Sequence, residues 1–251
     1  MKALITGASS GIGREFAKNL SKEGYDLIIV SRDEENLNKL KSELNTSVRV
    51  ISMDLSDINN CKLLYKNVKD EDIDLVINNA GFGLFGNFDE LDLEKQLNMV
   101  DLNVKSVHVL TNLFLKDMIK KDSGKILNVA SIAGVMPAGP LMATYYATKA
   151  YVLSLTEAIG EELRRRKSSV KIYALCPGPV NTNFNNVAGV QFNIKPLSAE
   201  YVSKYALKKI NGKKNVIIPG FINKLVYLSS KIVPNGILVK CAYNAQVKKM
   251  K

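Results

Sequence analysis

The segment TGASSGIG at residues 6–13 follows an apolar run at residues 2–6 and leads directly into a helical pattern at residues 12–23. A glycine-rich turn between a strand and a helix places free backbone N–H groups and the positive end of the helix dipole beside a pyrophosphate. Three glycines alone are a weak signal, because they also occur in ordinary turns. Their position between strand and helix, near the start of the chain, argues against that alternative and predicts a dinucleotide-binding loop.

The glycines of this loop have different predicted tasks. Gly7 allows the sharp turn, Gly11 lets the backbone approach the phosphates, and Gly13 lets the helix pack closely against the strand. The loop residues expected to contact the dinucleotide are Gly7, Ser9, Ser10, Gly11, Ile12, Gly13 and Arg14.

The end of the second apolar run, at residues 26–30, indicates which dinucleotide is bound. An acidic residue there would bind the ribose 2′-hydroxyl of NAD and repel a 2′-phosphate. This chain instead has Ser31 and Arg32, with Arg14 nearby. Guanidinium groups suit a 2′-phosphate, so NADP(H) is favoured over NAD(H). Asp33 is acidic but lies one position further on, and Arg32 could alternatively be a solvated residue at a helix start.

Short β-rich runs alternate with longer helical patterns along the chain. The predicted strands are residues 2–6, 26–30, 48–52, 73–78, 125–129, 170–175 and 216–218. The predicted helices are residues 12–23, 34–44, 58–68, 93–119 and 144–166. Most strands are apolar nearly throughout, which is typical of parallel strands covered on both faces. We therefore expect an α/β fold of Rossmann type, a doubly wound parallel sheet of about seven strands with helices on both faces.

The composition fits one dinucleotide-binding and catalytic domain over residues 1–220. The 251 residues are 46% apolar and 24% charged, enough for one substantial core. No apolar stretch is long enough to predict a membrane span. Cys61, Cys176 and Cys241 are scattered without CxxC spacing, which argues against a disulfide framework and a metal site. A cytoplasmic location is the expectation.

Tyr145 and Lys149 stand four residues apart and share one face of the predicted helix 144–166. A phenol with a pKa of about 10 is a poor acid–base catalyst at neutral pH, but a neighbouring ammonium group stabilises its phenolate. The tyrosine could then protonate a carbonyl oxygen, or deprotonate an alcohol in reverse. This spacing is also common on helix surfaces. Tyr146 has no lysine four residues on, so Tyr145 is the better candidate.

These motifs, taken in order, resemble the short-chain dehydrogenase/reductase family in its compact single-domain form. The matching residues are TGASSGIG at 6–13, Asp54, Asn78-Asn79-Ala80-Gly81, Asn103, Ser131, Tyr145 with Lys149, and PGPVNT at 177–182. No single motif is decisive, but the ordered set covers most of the chain and is highly specific. The resemblance implies an oxidoreductase that moves hydride between a nicotinamide and a carbonyl or alcohol, with no metal.

The resemblance also implies a role for each catalytic candidate. Ser131 would hydrogen-bond the substrate oxygen, and Tyr145 would be the general acid/base. Lys149 would bind the nicotinamide ribose and depress the Tyr145 pKa. Asn103 would hold a water that links Lys149 to solvent. Residues that would line the cofactor are Asp54 at the adenine, Leu55, Asn79, Ala80, Gly81, Pro177, Gly178, Val180 and Thr182.

The loops expected to surround the substrate are residues 81–88, 133–144 and 182–197, which are largely apolar. A largely apolar ketone, aldehyde or secondary alcohol fits them best, although many of these side chains could simply pack the loops. Subunit pairing through helices 93–119 and 144–166 is implied by the family. His108 is expected to be packed or solvated, and Cys176 to be a small core residue or, alternatively, a reactive thiol.

The last part of the chain carries all of its net charge. From Lys204 to Lys251 there are eleven lysines and no acidic residue, and the net charge of the whole chain is +11. Apolar residues at helical spacing predict a basic helical extension over residues 221–251, with a second helix at 237–249. It could contact an anionic membrane surface, an acidic partner or the substrate, or it could dock as helices with a solvated lysine face. Nucleic acid is disfavoured, because no recognised motif accompanies the lysines.

Two other functions are weighed against the enzyme. One is a sensor that binds NADP(H) without turnover, and the other is a scaffold with a membrane- or partner-binding tail. The presence of both Tyr145 and Lys149 favours turnover. Fold analogy fixes neither the substrate nor the physiological direction of the reaction.

Overall fold

The structure is a computed structural model that describes residues 1–182 and 196–247. Most of the predicted substrate loop 182–197 and the last residues of the predicted helix 237–249 lie outside these ranges. The strands are β1 Lys2–Thr6, β2 Asp26–Ser31, β3 Val48–Ser52, β4 Leu75–Asn78, β5 Lys125–Val129, β6 Lys171–Leu175, β7 Val180–Asn181, β8 Leu197–Ser198 and β9 Val216–Ile217.

Seven of the described strands form one parallel sheet in the order β3-β2-β1-β4-β5-β6-β9. β7 and β8 form a separate short pair. The predicted Rossmann-type fold with about seven strands is therefore confirmed. Individual boundaries differ from the predictions by one or two residues, as β4 shows by starting at Leu75.

Both faces of the sheet are buried, which explains the apolar strands. In β1, the side chains of Ala3 and Ile5 belong to one core and that of Leu4 belongs to the other. All three are fully buried. Because successive side chains of a strand point to opposite faces, an unbroken apolar run is required wherever helices cover both faces.

Helices cover the two faces of the sheet. They are α1 Gly11–Lys22, α2 Glu34–Ser42, α3 Ile58–Val68, α4 Leu93–Val100, α5 Val107–Lys120, α6 Ala143–Arg165, α7 Ala199–Lys209, α8 Phe221–Ser229 and α9 Asn235–Val247. Helices α1, α2 and α7 pack on one face, and α3, α5 and α6 pack on the other. Helix α7 was not predicted; its Ser203 accepts a 2.6 Å hydrogen bond from the buried side chain of Asn19 in α1.

The predicted helix over residues 93–119 is present, but it is not α-helical throughout. A π-helical segment, Asp101–Ser106, separates α4 from α5. This wider turn contains Asn103, whose amide bonds to the backbone of Phe82 and to Thr148 rather than facing solvent. Such π-helical turns often occur at functional sites.

The C-terminal helices differ in how they pack. Leu238, Ala242 and Gln246 anchor α9 and are buried, whereas α8 has no buried residue. Within the described part of the chain, no helix is both long and apolar enough to cross a lipid bilayer. The division of the chain at residue 220 remains a prediction.

Candidate active site

A cavity of about 510 Å³ lies at the carboxyl ends of the central strands. β1 lies between β2 and β4 in the sheet, and chain connections run outward from it in opposite directions. Ligands of open α/β sheets bind at this kind of switch point. Predicted site residues that line the cavity are Gly7, Ser9, Ser10, Gly11, Ile12, Ser31, Arg32, Asp54, Leu55, Asn79, Ala80, Gly81, Ser131, Tyr145, Lys149, Pro177, Gly178, Val180 and Thr182. The remaining three, Gly13, Arg14 and Asn103, do not line it.

The glycine loop leaves no room for side chains at two positions. Gly7 has a φ of +66°, and a Cβ there would lie 2.8 Å from the Cα of Ala80. At Gly13, a Cβ would lie 2.3 Å from the carbonyl oxygen of Gly7. Gly13 therefore holds the start of α1 against the end of β1, behind the cavity wall.

Hydrogen bonds join the residues that follow β4 to the glycine loop at the end of β1. The Thr6 hydroxyl accepts from the backbone N–H groups of Asn79 and Ala80, each at 3.0 Å. The Asn79 side chain donates to the carbonyl oxygens of Thr6, at 3.0 Å, and of Gly7, at 3.1 Å. These reciprocal bonds fix the two strand ends that form the floor of the cavity.

The arginines near the second strand have different positions. The Arg14 guanidinium pairs with Glu43, just beyond α2, and Arg14 does not line the cavity, so its contact with the dinucleotide stays a prediction. Arg32 lines the cavity, with its side chain 65% exposed and Nη1 3.6 Å from Asp54 Oδ2. The Asp33 carboxylate accepts a 3.0 Å hydrogen bond from the backbone N–H of Asn36 and caps α2.

Asp54 is held in its charged form. Partial burial acts to raise the pKa of Asp54, but hydrogen bonds from Ser56 and the positive charge of Arg32 outweigh it and leave the pKa below its usual range. The carboxylate oxygen Oδ1 accepts from the backbone N–H of Ser56 at 2.9 Å and from its hydroxyl at 2.8 Å. Asp54 thus offers a hydrogen-bond acceptor at the end of the cavity next to Arg32.

Tyr145 and Lys149 meet Ser131 at the other end of the cavity. Both come from the first half of α6, and Ser131 follows β5. The Nζ of Lys149 lies 5.9 Å from the centre of the Tyr145 ring. It donates a 2.8 Å hydrogen bond to the carbonyl oxygen of Val129. The Tyr145 hydroxyl is hydrogen-bonded with Ser131. A phenol, an ammonium group and a second hydroxyl are therefore brought together.

Burial controls the ionisation of this group. It raises the pKa of Tyr145 to about 12, although the hydrogen bond with Ser131 acts in the opposite direction. It lowers the pKa of Lys149 to about 8, with Cys176 acting weakly in the opposite direction. The predicted depression of the Tyr145 pKa was therefore wrong for this structure, because the effect of burial on the phenolate outweighs that of the hydrogen bond with Ser131. At neutral pH Tyr145 is a proton donor and most Lys149 side chains are charged.

Asn103 lies near Lys149 but does not line the cavity. Its Oδ1 accepts from the Phe82 backbone N–H at 3.1 Å, and its Nδ2 donates to the Phe82 carbonyl oxygen at 2.8 Å. A Cβ on Gly81 would lie 2.8 Å from the Asn103 Oδ1 and 3.4 Å from the Lys149 Nζ. Asn103 and Lys149 are therefore neighbours, although the amide is occupied by backbone hydrogen bonds.

His108 and Cys176 lie in different environments. His108 is exposed and lies outside the cavity, where its Nδ1 is 2.7 Å from the Tyr151 hydroxyl. Burial raises the pKa of the Cys176 thiol to about 12. An un-ionised, buried thiol is a poor nucleophile, so Cys176 is a core residue and the alternative of a reactive thiol does not hold.

Four other lining residues belong to segments named from the sequence: Phe82 to loop 81–88, Ala133 and Met142 to loop 133–144, and Pro179 to the PGPVNT motif. The lining residues that were not predicted are Val30, Met53, Asn98, Leu102, Val129, Ala130, Ile132, Tyr146 and Gln246. Most are apolar neighbours of predicted residues, which adjacency to a motif could have indicated. Gln246 lies in α9, far from every motif, and no sequence signal marks it.

Comparisons with known proteins agree with this geometry. The family model described as short chain dehydrogenase matches residues 1–191. An oxidoreductase of Staphylococcus epidermidis is 38% identical over 183 residues, which is 72% of this chain and 78% of that protein. A very-long-chain 3-oxoacyl-CoA reductase of Mycosarcoma maydis is 29% identical over 261 residues, covering 98% of this chain and 73% of that protein.

A solved structure supports the same conclusion. The short-chain dehydrogenase from Sphingobium yanoikuyae in complex with NADPH is similar with a TM-score of 0.82 and 26% sequence identity, over 92% of each chain. The parallel sheet, the cavity at its switch point and the matched motifs all agree. This chain belongs to the short-chain dehydrogenase family and is an oxidoreductase of the type that interconverts carbonyl and alcohol groups.

Proposed function

We propose that this protein reduces a largely apolar ketone or aldehyde with NADPH, and that Tyr145 supplies the proton. One observation carries the proposal. Tyr145, Lys149 and Ser131 lie together at one end of the cavity. Arg32 and Asp54 lie at the other end. The separation of these two groups of polar residues suits an extended dinucleotide with its nicotinamide beside Tyr145.

The residues around the cavity fit such a cofactor. Gly11 has a φ of +54° and lines the cavity without a side chain, which leaves room for a pyrophosphate at the start of α1, where the helix dipole favours phosphate. Lys149 would bind the nicotinamide ribose. Asp54 would accept from the adenine amino group. Pro177, Gly178, Val180 and Thr182 would lie over the nicotinamide. The reduced nicotinamide, when bound, supplies the hydride.

The protein's own residues manage the proton and the charge on oxygen. Tyr145 is protonated at neutral pH and can donate its phenolic proton to the carbonyl oxygen as negative charge develops there. The Ser131 hydroxyl donates to the same oxygen and stabilises that charge. The positive charge of Lys149 stabilises the phenolate left on Tyr145. Asn103 would hold the water through which Tyr145 is reprotonated by way of Lys149.

The preference for NADPH rests on the position of three side chains. Arg32 lines the cavity and is largely exposed, so it can reach a ribose 2′-phosphate. The acidic Asp33 would repel such a phosphate, but its carboxylate is occupied as the cap of α2. The exposed Arg32–Asp54 ion pair is weak, because solvent screens it, and a phosphate can displace it.

The experiment is a fluorescence titration of the purified protein with NADPH and NADH, followed by turnover of a panel of apolar ketones and aldehydes. We expect tighter binding of NADPH and its oxidation by several members of the panel. Binding without oxidation of the nucleotide by any member would contradict the reductase and favour a sensor. Absence of binding by either nucleotide would contradict both.

A second proposal concerns α8. Its exposed apolar side chains include Phe221 and Ile222, which are 74% and 64% exposed, and Ile232 just beyond it is 82% exposed. Lys224 and Lys231 lie among them, in a region without acidic residues. Apolar side chains among lysines fit an anionic membrane surface, where both the apolar insertion and the charge are favourable. We propose that α8 contacts such a surface from the cytoplasmic side.

Vesicle sedimentation tests this contact. The wild type should sediment with vesicles that contain phosphatidylserine and not with vesicles of phosphatidylcholine alone. Replacing Phe221 and Ile222 by serine should abolish sedimentation, whereas Leu63→Ser, at an exposed apolar position on α3, should not. Equal sedimentation of wild type and double variant would contradict the proposal, and self-association through α8 would appear instead as a larger mass in light scattering.

We also propose a homo-oligomer that forms through α4, α5 and α6. Leu93 and Leu97 on α4 and Tyr151 on α6 are large exposed side chains on these helices. The molar mass of the wild type measured by light scattering should be at least that of a dimer. Leu97→Asp should shift the molar mass toward that of a monomer. A monomeric wild type at high concentration would contradict this proposal.

A further inference from the structure

Tyr146 and Gln246 meet at the wall of the cavity. They are 100 positions apart in the sequence, and the Gln246 Nε2 donates a 2.9 Å hydrogen bond to the Tyr146 hydroxyl. Gln246 is only 2% exposed although α9 lies at the surface, and both side chains line the cavity. The C-terminal extension, outside the matched family model at residues 1–191, thus contributes to the same cavity as Tyr145.

The hydroxyl of Tyr146 is set up as a hydrogen-bond donor. It accepts from Gln246, and within residues 1–182 and 196–247 its own proton has no acceptor. Burial raises the pKa of Tyr146, so the hydroxyl keeps its proton at neutral pH. Accepting one hydrogen bond strengthens the bond that the same hydroxyl donates. Because Tyr146 lines the cavity, this donor is available to a ligand that supplies an acceptor oxygen.

The position of this donor relates to the reacting group. The rings of Tyr145 and Tyr146 are 6.4 Å apart between centres and are arranged edge to face. Phe82, Leu102 and Met142 make other parts of the same wall apolar. A substrate whose carbonyl reaches Tyr145 would therefore lie in a cavity lined by these apolar side chains, by Asn98 and by the hydroxyl donor of Tyr146.

We propose that Tyr146, held by Gln246, binds a second oxygen acceptor of the substrate, so that the preferred substrate is an apolar ketone or aldehyde with another carbonyl or ester oxygen a few bonds away. This inference rests on the proposed reductase function and names its substrate class. Tyr146 contacts the substrate, and Gln246 is a positioning residue that acts through Tyr146.

The test compares two probes, a linear methyl ketone and a keto ester of equal length, with NADPH. The measured quantity is the ratio of kcat/KM for the keto ester to that for the ketone, which cancels effects common to both. We expect Tyr146→Phe to lower this ratio about tenfold relative to wild type, mainly through KM, as one neutral hydrogen bond allows. Gln246→Leu should lower it by a smaller factor.

A matched variant separates this role from a structural one. Tyr243→Phe removes a hydroxyl from an exposed position on α9, the helix that carries Gln246, and should keep the wild-type ratio. NADPH affinity measured for every variant reports whether the cavity is intact. An unchanged ratio in Tyr146→Phe, with both probes reduced, overturns the inference alone. Failure of the wild type to reduce either probe overturns the proposed function and this inference with it.

Discussion

Lys149 places its Nζ 5.9 Å from the centre of the Tyr145 ring, one helical turn away on α6. Burial disfavours the charged form of both side chains, which raises the pKa of Tyr145 and lowers that of Lys149. At neutral pH, Tyr145 is therefore a neutral phenol. Lys149 is a cation that loses its proton more easily than an ordinary lysine does. This state suits donation of a proton to a carbonyl, and it makes the site sensitive to pH on the alkaline side.

The pH dependence of reduction should reflect Lys149. Its ammonium group is charged below a pKa of about 8 and neutral above it, whereas Tyr145 stays protonated up to about 12. We expect kcat/KM for reduction to be level at neutral pH and to fall as pH rises through about 8, because the charge that stabilises the phenolate is lost. Steady-state kinetics between about pH 6 and pH 10 measure this profile.

Lys204→Ala is the matched control for this profile, since it removes an exposed lysine of α7 far from the cavity motifs. It should give the same curve as wild type. A kcat/KM that stays level or rises across this range would contradict the assignment of the charge to Lys149.

The buried charge should also lower stability. The pKa of Lys149 falls from 10.5 to about 8 on folding, which costs about 3 kcal/mol at neutral pH. Lys149→Met removes this cost and also the hydrogen bond to Val129, which contributes about 1 kcal/mol. We expect the variant to be inactive and yet more stable than wild type at pH 7 by roughly 2 kcal/mol. Chemical denaturation measures the difference.

The stability difference between Lys149→Met and wild type should depend on pH, and its sign follows from the protons bound by the folded and unfolded chains. Between about pH 8 and 10.5 the unfolded lysine binds more protons than the folded one, so the wild type gains stability as pH rises. The advantage of Lys149→Met should therefore shrink over this range. A variant less stable than wild type at pH 7, or an advantage that grows with pH, would refute the interpretation.

The cofactor preference should depend on Arg32. Arg32→Ala should weaken NADPH binding roughly 10- to 100-fold, the range expected for hydrogen bonds to a charged group, and leave NADH binding nearly unchanged. Arg14→Ala is the matched control, because Arg14 pairs with Glu43 away from the cavity. Fluorescence titration with both nucleotides measures the ratio. A ratio that changes with Arg14→Ala and not with Arg32→Ala would reverse the assignment.

Much of the fold could be predicted, because strands buried on both faces give apolar runs that differ from amphipathic helices. The run Asp26–Ser31, for example, has four fully buried residues in sequence. Helix α7 was missed although signals were present: Ser198 caps it, and Val202 and Ala206 stand four residues apart on its buried face. The π-helical turn at Asp101–Ser106 has no such pattern, because it depends on contacts of Asn103 with Phe82 and Thr148.

The site could be predicted only where residues belong to a local motif. Arg14 stands beside the glycine loop in sequence, but its side chain is directed by Glu43, which belongs to the end of another helix. The contact of Gln246 with Tyr146 joins α9 to α6 and exists only after the chain has folded. The ionisation of Tyr145 could not be predicted from the sequence, because its pKa depends mainly on burial, which only the folded structure shows.

The most direct test of the account is Tyr145→Phe, measured as NADPH affinity and as kcat for reduction of an apolar ketone. This change removes one hydroxyl and keeps the ring that lines the cavity. We expect NADPH to bind as tightly as to wild type and kcat to fall roughly 100- to 10,000-fold, as loss of a general acid predicts. Reduction at the wild-type rate by Tyr145→Phe would contradict the assignment of Tyr145 as the proton donor.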